Sequence, residues 1–300
     1  MAVALVTGAT GLLGRSLTRA LLDRRDTVIA LARDPGAPTA ALDPRAVAVA
    51  ADVTDREALR DVVTEHRPDT VFHLAAASTN AATTTPQQAH AVNVGGTENV
   101  LRAALRGAVG RVLVAGTVAA YAPATGPVDE DAPLLPVAPA DPYSATKAQT
   151  DTLARAFARR HGLPVAVARL SNVYGSGDRH ATRLVPELLA AVRAGRPPAI
   201  RSDGTPRLDL LHVDDAVAAL IALAGATTPA DAYNVAAGRG VAVRAVVETL
   251  ERVVGHPLRA TYGHERASHP AGADIDIARI TTATGWRPRI ALEEGLLRSL

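Results

Sequence analysis

The chain has 300 residues, 48% of them hydrophobic, which is enough apolar material for a large core in one domain or in a domain with a smaller partner. A formal net charge of +2 and an aromatic content of 3% argue against nucleic-acid binding, and the absence of cysteine excludes disulfides and cysteine nucleophiles. The N-terminus lacks the pattern of a signal peptide, and the longest apolar run, residues 216–226, is too short to span a bilayer. We therefore expect a cytosolic protein without membrane contact.

Short apolar segments alternate with helical periodicity through the first two-thirds of the chain. Apolar runs predict strands, and amphipathic spacing predicts helices between them. The predicted strands are 3–8, 27–33, 46–52, 69–76, 110–117 and 163–171, and the predicted helices are 12–24, 55–65, 87–106 and 142–161. The strands show no polar alternation, which is typical of parallel strands covered on both faces. The sequence therefore predicts an α/β fold with a doubly wound parallel sheet, the Rossmann arrangement.

After residue 171 the pattern loosens, and glycine, proline and charged residues become frequent. Further helices are predicted at 182–194, 214–224 and 243–254, with a strand at 232–236. In "LHVDD", Asp214 or Asp215 is the expected N-terminal cap of a helix. We predict a dinucleotide-binding domain formed by residues 1–171 and about 207–236. A smaller α/β substrate-binding domain is predicted from residues 172–206 and 237–300.

A glycine pattern follows the first predicted strand. The segment "TGATGLLGR" places Gly8, Gly11 and Gly14 between this strand and the first helix. Glycines let the turn tighten and let backbone amides approach a pyrophosphate at the helix N-terminus. The spacing predicts a dinucleotide loop, and the alternative is a tight strand–helix turn with no ligand.

The second predicted strand ends in Arg33. An acid in this region usually contacts a ribose 2′-hydroxyl, and an arginine accommodates a 2′-phosphate. Arg33 therefore favours NADP over NAD as the cofactor, with Arg15 as a second candidate cation and Asp52 near the adenine edge. In a chain so rich in arginine, both arginines are also compatible with an ordinary surface role.

The 32 basic residues include a single lysine, Lys147, which stands four residues after Tyr143. On a helix this spacing puts both side chains on one face. An ammonium near a phenol favours the phenolate and lowers the phenol pKa from about 10, so Tyr143 can exchange protons with an alcohol or a ketone. Lysine is also a compact point charge that can bond ribose hydroxyls. The alternative is a lysine retained by chance.

Several further segments resemble one known family. They are "HLAA" at 73–76, "NVGGTENVL" at 93–101, Tyr143-x-x-x-Lys147, "RLSNVYGSGD" at 169–178, "LHVDD" at 211–215 and "TGWRPRIALEEGL" at 284–296. Together with the glycine loop, they resemble the extended short-chain dehydrogenases, in the NAD(P)-dependent epimerase/dehydratase branch. The resemblance implies that Thr117 bonds the reacting oxygen, Tyr143 is the acid/base, and Lys147 holds the nicotinamide ribose.

The resemblance also implies the remaining site. The expected cofactor-binding residues are Gly8, Thr10, Gly11, Leu12, Leu13, Gly14, Arg33, Asp52, Val53, Leu74, Ala75, Ala76, Asn93, Tyr143 and Lys147. Thr117 and Asn172 are expected on the substrate side, and Thr83 to Thr85 are candidates for the edge of the cleft. No metal is expected. The family resemblance further suggests a homodimer through the helices near 87–106 and 142–161.

Two departures from the family pattern limit the substrate and the reaction. Thr117 is followed by Val118, Ala119 and Ala120, where the 4,6-dehydratases carry acids, so dehydration is not expected, although "RSDGT" at 201–205 is similar to CDP-glucose dehydratases. The family arginine for the substrate diphosphate falls on Leu208, and Arg207 stands one residue early. Arg207 is the candidate for this contact, but strand alternation turns it to the opposite face unless a bulge intervenes.

The combined interpretation is an oxidoreductase that transfers a hydride at a secondary alcohol or ketone, at C4 of a nucleotide-linked sugar. Because Arg33 favours NADPH, a 4-ketoreductase is favoured over a 4-epimerase, which would retain NAD. The alternatives are an NADPH-dependent reductase of a non-sugar ketone, suggested by Leu208, and a non-catalytic dinucleotide-binding protein.

Overall fold

Twelve strands form three sheets in the computed structural model, which describes residues 1–37, 41–77, 84–124, 126–136, 142–178, 180, 182–227, 229, 231–264 and 274–300. The strands are β1 Val3–Thr7, β2 Thr27–Ala32, β3 Val47–Ala50, β4 Thr70–His73, β5 Arg111–Thr117, β6 Val165–Leu170, β7 Asn172–Tyr174, β8 Ala199–Ile200, β9 Arg207–His212, β10 Ala232–Val235, β11 Gly240–Ala242 and β12 Thr261–Tyr262. Seven of them form the central sheet in the order β3, β2, β1, β4, β5, β6, β10, and all neighbours are parallel. The predicted parallel α/β fold is confirmed.

Helices cover both faces of the central sheet. They are α1 Leu12–Asp23, α2 Arg56–His66, α3 Pro86–His90, α4 Gly96–Arg106, α5 Pro142–His161, α6 Leu184–Arg193, α7 Val213–Gly225, α8 Val243–Val254, α9 Ala278–Thr284 and α10 Leu292–Ser299. Along β1, Val6 packs with α1 and α7 on one face, and Leu5 packs with α2 and α4 on the other. This burial on both sides explains why the strands lack polar alternation. In the described segments, no helix is both long and apolar enough to cross a membrane.

The helix predicted over 87–106 is one helical segment with a change of winding. α3 begins after Thr85, which forms a capping box with Gln88. Residues Ala91–Gly95 then take π-helical hydrogen bonds before α4 continues. Such π turns often occur at functional sites, and this one contains Asn93.

A smaller part stands at the carboxyl edge of the central sheet. β7, β9 and β11 form a three-stranded sheet, and β8 pairs with β12. Their apolar core includes Leu188 of α6, Val246 and Leu250 of α8, and Leu296 of α10. Within the 207–236 region that was predicted to belong to the dinucleotide-binding domain, β10 joins the central sheet, whereas β9 lies in the three-stranded sheet.

The cap of α7 differs from the prediction. The helix begins at Val213, one residue before the predicted start, and its N-cap is His212, whose Nδ1 accepts a hydrogen bond from the amide of Asp214 at 3.3 Å. Asp214 and Asp215 lie in the first turn, where carboxylates face the positive end of the helix dipole. Asp215 also accepts the amides of Arg289 and Ile290, so it fastens the C-terminal segment to α7. Where several adjacent residues are of a capping type, the sequence alone does not indicate which of them becomes the N-cap.

Candidate active site

Two adjoining cavities follow the carboxyl ends of the central strands. The order of the sheet reverses between β1 and β4, which is where open α/β sheets bind ligands. One cavity has a volume of about 410 Å³ and the other about 650 Å³. Both are lined by Gly8, Gly11, Leu74 and Ala76, so they meet at the glycine loop. The two together form one elongated cleft with the shape expected for a dinucleotide.

Most of the predicted site residues line this cleft. They are Gly8, Thr10, Gly11, Leu12, Leu13, Gly14, Arg33, Asp52, Val53, Leu74, Ala75, Ala76, Thr117, Tyr143 and Asn172. Asn93, Lys147 and Arg207 are not among the lining residues of either cavity.

The glycine loop has no room for side chains. Gly8 has φ +68°, and a Cβ on it would lie 2.7 Å from the Ala75 nitrogen. A Cβ on Gly14 would lie 2.2 Å from the Gly8 carbonyl oxygen. Gly11 is the N-cap of α1 and supplies no capping side chain, so the first amides of the helix face the cleft. This backbone cradle at a helix N-terminus fits the pyrophosphate of a dinucleotide.

The larger cavity has the features of an adenosine site. Arg33 is exposed at its rim, directly after β2. The Asp52 carboxylate accepts hydrogen bonds from the amide and hydroxyl of Thr54, both at 2.8 Å, and thereby shapes the turn after β3. Thr84 also lines this cavity, whereas Thr83 lies outside the described residues.

Arg15 does not point toward the adenosine end. Its guanidinium donates to the carbonyl of Thr10 and, at 2.9 Å, to the carbonyl of Gly177. Gly177 belongs to the loop after β7, on the opposite wall of the cleft. Arg15 therefore connects the glycine loop to the smaller part of the molecule.

Thr117 and Tyr143 line the smaller cavity together. Thr117 ends β5, and its hydroxyl accepts the amide of Ala119 at 3.2 Å in a short 3-10 turn. Tyr143 lies in the first turn of α5 and is partly buried. A strand end and a helix start thus bring two hydroxyl groups to one cavity.

Lys147 lies one turn deeper on α5. Its side chain is 4% exposed, and Nζ donates to the carbonyl oxygen of Ala115 on β5 at 2.5 Å. Burial lowers the pKa of Lys147 to about 8, and the carboxylate of Asp151 opposes this shift. The lysine is therefore held by the strand that ends in Thr117.

Asn93 joins the wall of the cleft to α5. Its amide group accepts from the amide of Ala77 at 2.8 Å and donates to the Ala77 carbonyl and to the Thr146 hydroxyl. The Thr146 hydroxyl in turn bonds the Tyr143 carbonyl at 2.8 Å. Asn93 is 1% exposed, so these side-chain hydrogen bonds lie in the interior of the protein.

His73 is a buried core residue, as its position at the end of a strand suggests. Its Nδ1 lies 2.8 Å from the Thr7 hydroxyl, and its Nε2 lies 3.0 Å from the Thr97 hydroxyl. Thr97 donates to the Asn93 carbonyl at 2.6 Å, so it accepts from Nε2–H, and the ring is neutral. Burial, with a smaller contribution from the Lys147 charge, lowers the pKa of His73 to about 3.

The two residues predicted for the substrate side, Asn172 and Arg207, have different positions relative to the cavity. Asn172 lines the smaller cavity and donates to the Asp209 carbonyl at 3.1 Å. Arg207 donates to the Gly240 carbonyl at 2.8 Å and lies 3.6 Å from the Asp274 carboxylate. The sequence reasoning did not select Arg183 as a site residue, although it lines the smaller cavity.

Arg183 and His180 were missed because they belong to a loop-rich segment without a recognisable motif. Both line the cavity that contains Thr117 and Tyr143. Arg183 is the N-cap residue of α6, so the positive end of this helix also lies at the cavity. The available signal was a basic residue in the first turn of the predicted helix 182–194, shortly after the "YGSGD" loop.

A buried ionic cluster was also missed. Arg169, at the end of β6, pairs with Asp151 of α5 at 2.8 and 3.0 Å, and both side chains are 1% exposed. Arg169 also donates to the Tyr121 hydroxyl, which donates to Asn234. The available signal was the spacing from Lys147 to Asp151, four residues along one helix.

No acidic residue lines the smaller cavity within the described part of the chain. The residues after Thr117 are Val118 and Ala119, and both line this cavity. Nor does the described part contain a group of three or more acidic or histidine side chains arranged for a metal ion. The polar side chains lining the smaller cavity are therefore hydroxyl groups, an amide, an imidazole and a guanidinium.

Comparison with known proteins identifies the family. The sequence model of the NAD dependent epimerase/dehydratase family matches residues 4–236. The chain is 31% identical to a UDP-glucose 4-epimerase of Azospirillum brasilense, over 98% of this chain and 90% of that protein. It is 30% identical to a dTDP-glucose 4,6-dehydratase of an Actinoplanes species, over 87% of this chain and 81% of that protein.

Solved structures agree with the sequence matches. The UDP-glucose 4-epimerase of Thermotoga maritima with UDP-glucose superposes with a TM-score of 0.89 at 25% identity, covering 99% of this chain and 97% of that one. MoeE5 in complex with UDP-glucuronic acid and NAD superposes with a TM-score of 0.86 at 30% identity, covering 98% and 96%. The resemblance seen in the sequence is confirmed, and this chain is an enzyme of the NAD dependent epimerase/dehydratase family.

Proposed function

We propose that this enzyme is an NAD-dependent 4-epimerase of a nucleotide-linked sugar. The observation that carries the proposal is the smaller cavity, in which Thr117 and Tyr143 lie together and no described lining residue is acidic. Hydroxyl groups suit the removal and return of a proton at a sugar alcohol. Two of the compared proteins bear the name UDP-glucose 4-epimerase, which supports the same reaction.

The cleft suits a dinucleotide along its whole length. The cradle of Gly8, Gly11 and Gly14 would hold the pyrophosphate, the larger cavity would hold the adenosine, and the smaller cavity would hold the nicotinamide. When bound, the nicotinamide supplies the acceptor and donor of the hydride. MoeE5 is described in complex with NAD, which supports this choice of cofactor.

Tyr143 is the proposed acid/base, and Thr117 is its partner. As the phenolate, Tyr143 takes the proton of the C4 hydroxyl while the hydride leaves C4, and a ketone results. The Thr117 hydroxyl donates a hydrogen bond to the same oxygen as its charge changes. For inversion, the ketone presents its opposite face, the hydride returns to C4, and the proton returns from Tyr143 to the oxygen.

Lys147 supports this proton transfer through its charge. A buried ammonium one turn from Tyr143 favours the phenolate form. The Ala115 carbonyl fixes one of its three N–H donors and leaves the others for the ribose hydroxyls of the nicotinamide nucleoside. Asn93 holds the start of α5 against the loop after β4 and so maintains the orientation of this helix.

The chemistry of the cavity supports inversion over dehydration. Loss of water from a 4-keto sugar requires the removal of one proton and the delivery of another to the leaving hydroxyl, which are typical roles of carboxyl side chains. Val118 and Ala119 line the cavity where such side chains would act. The 30% identity to a 4,6-dehydratase therefore reflects the family and not the proposed reaction.

Arg183 is the proposed partner of the substrate diphosphate. It lines the same cavity as Thr117, and the N-terminus of α6 adds a positive dipole end. Arg207 instead lies beside the Asp274 carboxylate, which reduces its value for an anionic ligand. His180 is a second polar group on this side of the cavity.

A 4-ketoreductase that uses NADPH is the second candidate, and one observation favours it. Arg33 is exposed at the rim of the larger cavity, where a guanidinium can pair with a 2′-phosphate. We expect Arg33→Ala to weaken NADPH binding much more than NADH binding if this candidate is right. Equal effects on both cofactors would mean that Arg33 does not bind a 2′-phosphate.

The proposed assembly is a homodimer through α4 and α5. Along α5, Thr152 and Ala156 are exposed and Leu153 is partly exposed, so small and apolar side chains are available for helix packing. Leu105 near the end of α4 is 37% exposed. Light scattering at micromolar concentration tests this assembly, and a monomeric mass would contradict it.

Two measurements on the purified protein test the reaction. The nucleotide released by denaturation is identified by chromatography, and the protein is incubated with UDP-, dTDP-, GDP- and CDP-glucose while the sugar protons are followed by NMR. Bound NAD and inversion at C4 without added reductant are expected. Oxidation at C4 that depends on added NADP⁺, which is the reverse of a ketoreductase reaction, would support the second candidate. A 4-keto-6-deoxy product would contradict both, and binding without turnover would indicate a non-catalytic protein.

A further inference from the structure

The buried ionic cluster lies directly beside the proposed catalytic lysine. Asp151 follows Lys147 by one helical turn on α5, and the two side chains are 1% and 4% exposed. The Asp151 carboxylate accepts Nε and Nη2 of Arg169 at 2.8 and 3.0 Å, and Nε of Arg155 at 2.7 Å. A carboxylate that is this deeply buried requires such partners.

The cluster is attached to the same strand as the lysine. Arg169 stands opposite Gly116 in the pairing of β5 with β6, and Gly116 follows Ala115, whose carbonyl accepts Lys147 Nζ. A Cβ on Gly116 would lie 2.9 Å from the Val167 Cγ1 and 3.4 Å from the Arg169 Cγ, so the glycine permits the close packing of β5 against β6 beside the arginine stem. The residue after Gly116 is Thr117. The positions of Lys147, Thr117 and the ion pair are therefore fixed by three consecutive residues of β5.

The charges around Lys147 are unequal. On its own helix Asp151 lies one turn after it and Tyr143 one turn before it; on the neighbouring strands stand Arg169 of β6, which pairs with Asp151, and His73 of β4, which is neutral at this depth. β5 contributes a carbonyl and a hydroxyl but no charge at this point. Within the described residues, Asp151 is the negative group that raises the pKa of Lys147 against the effect of burial.

We propose that Asp151 is a positioning residue of the active site, which keeps Lys147 in the ammonium form and in register with Ala115 and Thr117. The inference rests on the proposed role of Lys147 in catalysis. Arg169 has two functions in this arrangement: it holds the carboxylate in place, and it limits the charge that the carboxylate exerts on the lysine. Without the carboxylate, the buried lysine would face a guanidinium and no counter-charge.

Because the chain contains one lysine, its charge state can be measured without any assay of activity. Protein labelled with carbon-13 at the lysine ε position gives a single lysine signal, whose chemical shift is followed against pH. We expect the wild-type midpoint near 8. In Asp151→Asn we expect the midpoint to fall by at least about one pH unit, since an opposite charge at short range shifts a pKa by 1–3 units.

Two further variants control this measurement. Asp231→Asn removes a carboxylate that lies 3.8 Å from Arg155, at the outer end of the same cluster, and should leave the lysine midpoint unchanged. Arg169→Gln should move the midpoint upward, because Asp151 keeps Arg155 and acts more strongly on Lys147. This upward shift is opposite to the downward shift expected for Asp151→Asn. It tests the inference even if Asp151→Asn does not fold.

An unchanged midpoint in Asp151→Asn or Arg169→Gln, or an equal shift in Asp231→Asn, would overturn the inference. In an active enzyme, the alkaline limb of the pH–rate profile should move with the midpoint, which a purely structural role for Asp151 would not cause. If the shifts occur in a protein with no epimerase activity, the proposed function fails and the electrostatic role stands. If the enzyme inverts C4 but the midpoints do not move, the inference fails alone.

Discussion

The two ends of the cleft are built in different ways. At the glycine loop, the proposed cofactor site consists of backbone, because Gly8 and Gly14 leave no space for a side chain. At the other end, the cavity is lined by functional side chains, among them Thr117, Tyr143 and Arg183. The backbone site comes from one continuous segment, whereas the side chains come from the end of β5, the start of α5 and the start of α6.

The difference between the two ends indicates which part of the site can be altered by substitution. A backbone cradle tolerates almost no substitution but binds any dinucleotide of the right shape. A set of side chains on separate elements can be replaced singly, so it can determine the reaction and the substrate. The residues after Thr117 are an example of such replacement. Val118 and Ala119 occupy the positions where carboxylates would permit dehydration.

The largest expected effect is the loss of the reaction without the loss of the cofactor. Tyr143→Phe removes the proton donor and should lower kcat by roughly 10²–10⁴, while the nucleotide content after denaturation stays the same. Tyr262→Phe is the matched control, because Tyr262 lies on β12 and lines neither cavity. If Tyr143→Phe also lost its nucleotide, the two ends of the cleft would not be independent.

The reverse separation is expected at the backbone end. Gly14→Ala places a methyl group 2.2 Å from the Gly8 carbonyl oxygen, so the turn must shift. Cofactor affinity should fall at least about tenfold, which is about 1.4 kcal/mol, as measured by isothermal titration. Gly95→Ala is the control, since a Cβ there meets no atom within 4 Å. Normal cofactor binding by Gly14→Ala would contradict the backbone account.

A smaller effect should distinguish the two candidate arginines. Arg183→Ala should raise KM for the nucleotide sugar by roughly tenfold, the value of about one charge-assisted hydrogen bond, with little change in kcat. Arg207→Ala should leave KM nearly unchanged, because its guanidinium lies at Gly240 and Asp274. The opposite result, a raised KM in Arg207→Ala alone, would support Arg207, the residue predicted from the sequence, as the partner of the substrate diphosphate.

The last expected effect concerns stability and not function, and it is confined to acidic pH. The pKa of His73 is lowered to about 3 by burial, so between about pH 6.5 and pH 3 the unfolded chain binds a proton that the folded protein does not. This histidine therefore reduces the free energy of unfolding as pH falls, by at most about 1.4 kcal/mol per pH unit.

Denaturation at several pH values checks this contribution. His73→Gln should flatten the pH dependence of the unfolding free energy between pH 6 and 4. His256→Gln, at an exposed histidine, should not. An unchanged slope in His73→Gln would mean that His73 is protonated in the folded protein.

The sequence was sufficient for the features that depend on local pattern. Apolar runs without alternation identified the parallel strands, and the glycine spacing identified the loop at Gly8. The positions of β9 and Arg183 were not predictable in the same way, because they depend on how the smaller part packs against the cleft. Alternation along β9 raised doubt about Arg207 as the contact for a diphosphate, and the proposed alternative, Arg183, belongs to no recognisable motif.

Side-chain partners were the second kind of miss. Asp214 and Asp215 were reasonable caps by residue type, yet His212 stands one position before the helix and takes that role. The pairing of Arg169 with Asp151 joins a strand to a helix, and a single sequence does not reveal which buried ions meet. Both errors concern tertiary contacts and not the periodicity of the chain.

The most direct test of the central claim, that this cleft moves a hydride to and from C4 of one sugar, uses UDP-glucose deuterated at C4. The account predicts an epimerised product that keeps the deuterium at C4, formed without added reductant, because the same hydride leaves and returns. Deuterium at C6 of a dehydrated product, or loss of the deuterium to added NADP⁺ with a 4-ketone as the product, would contradict the proposed epimerase.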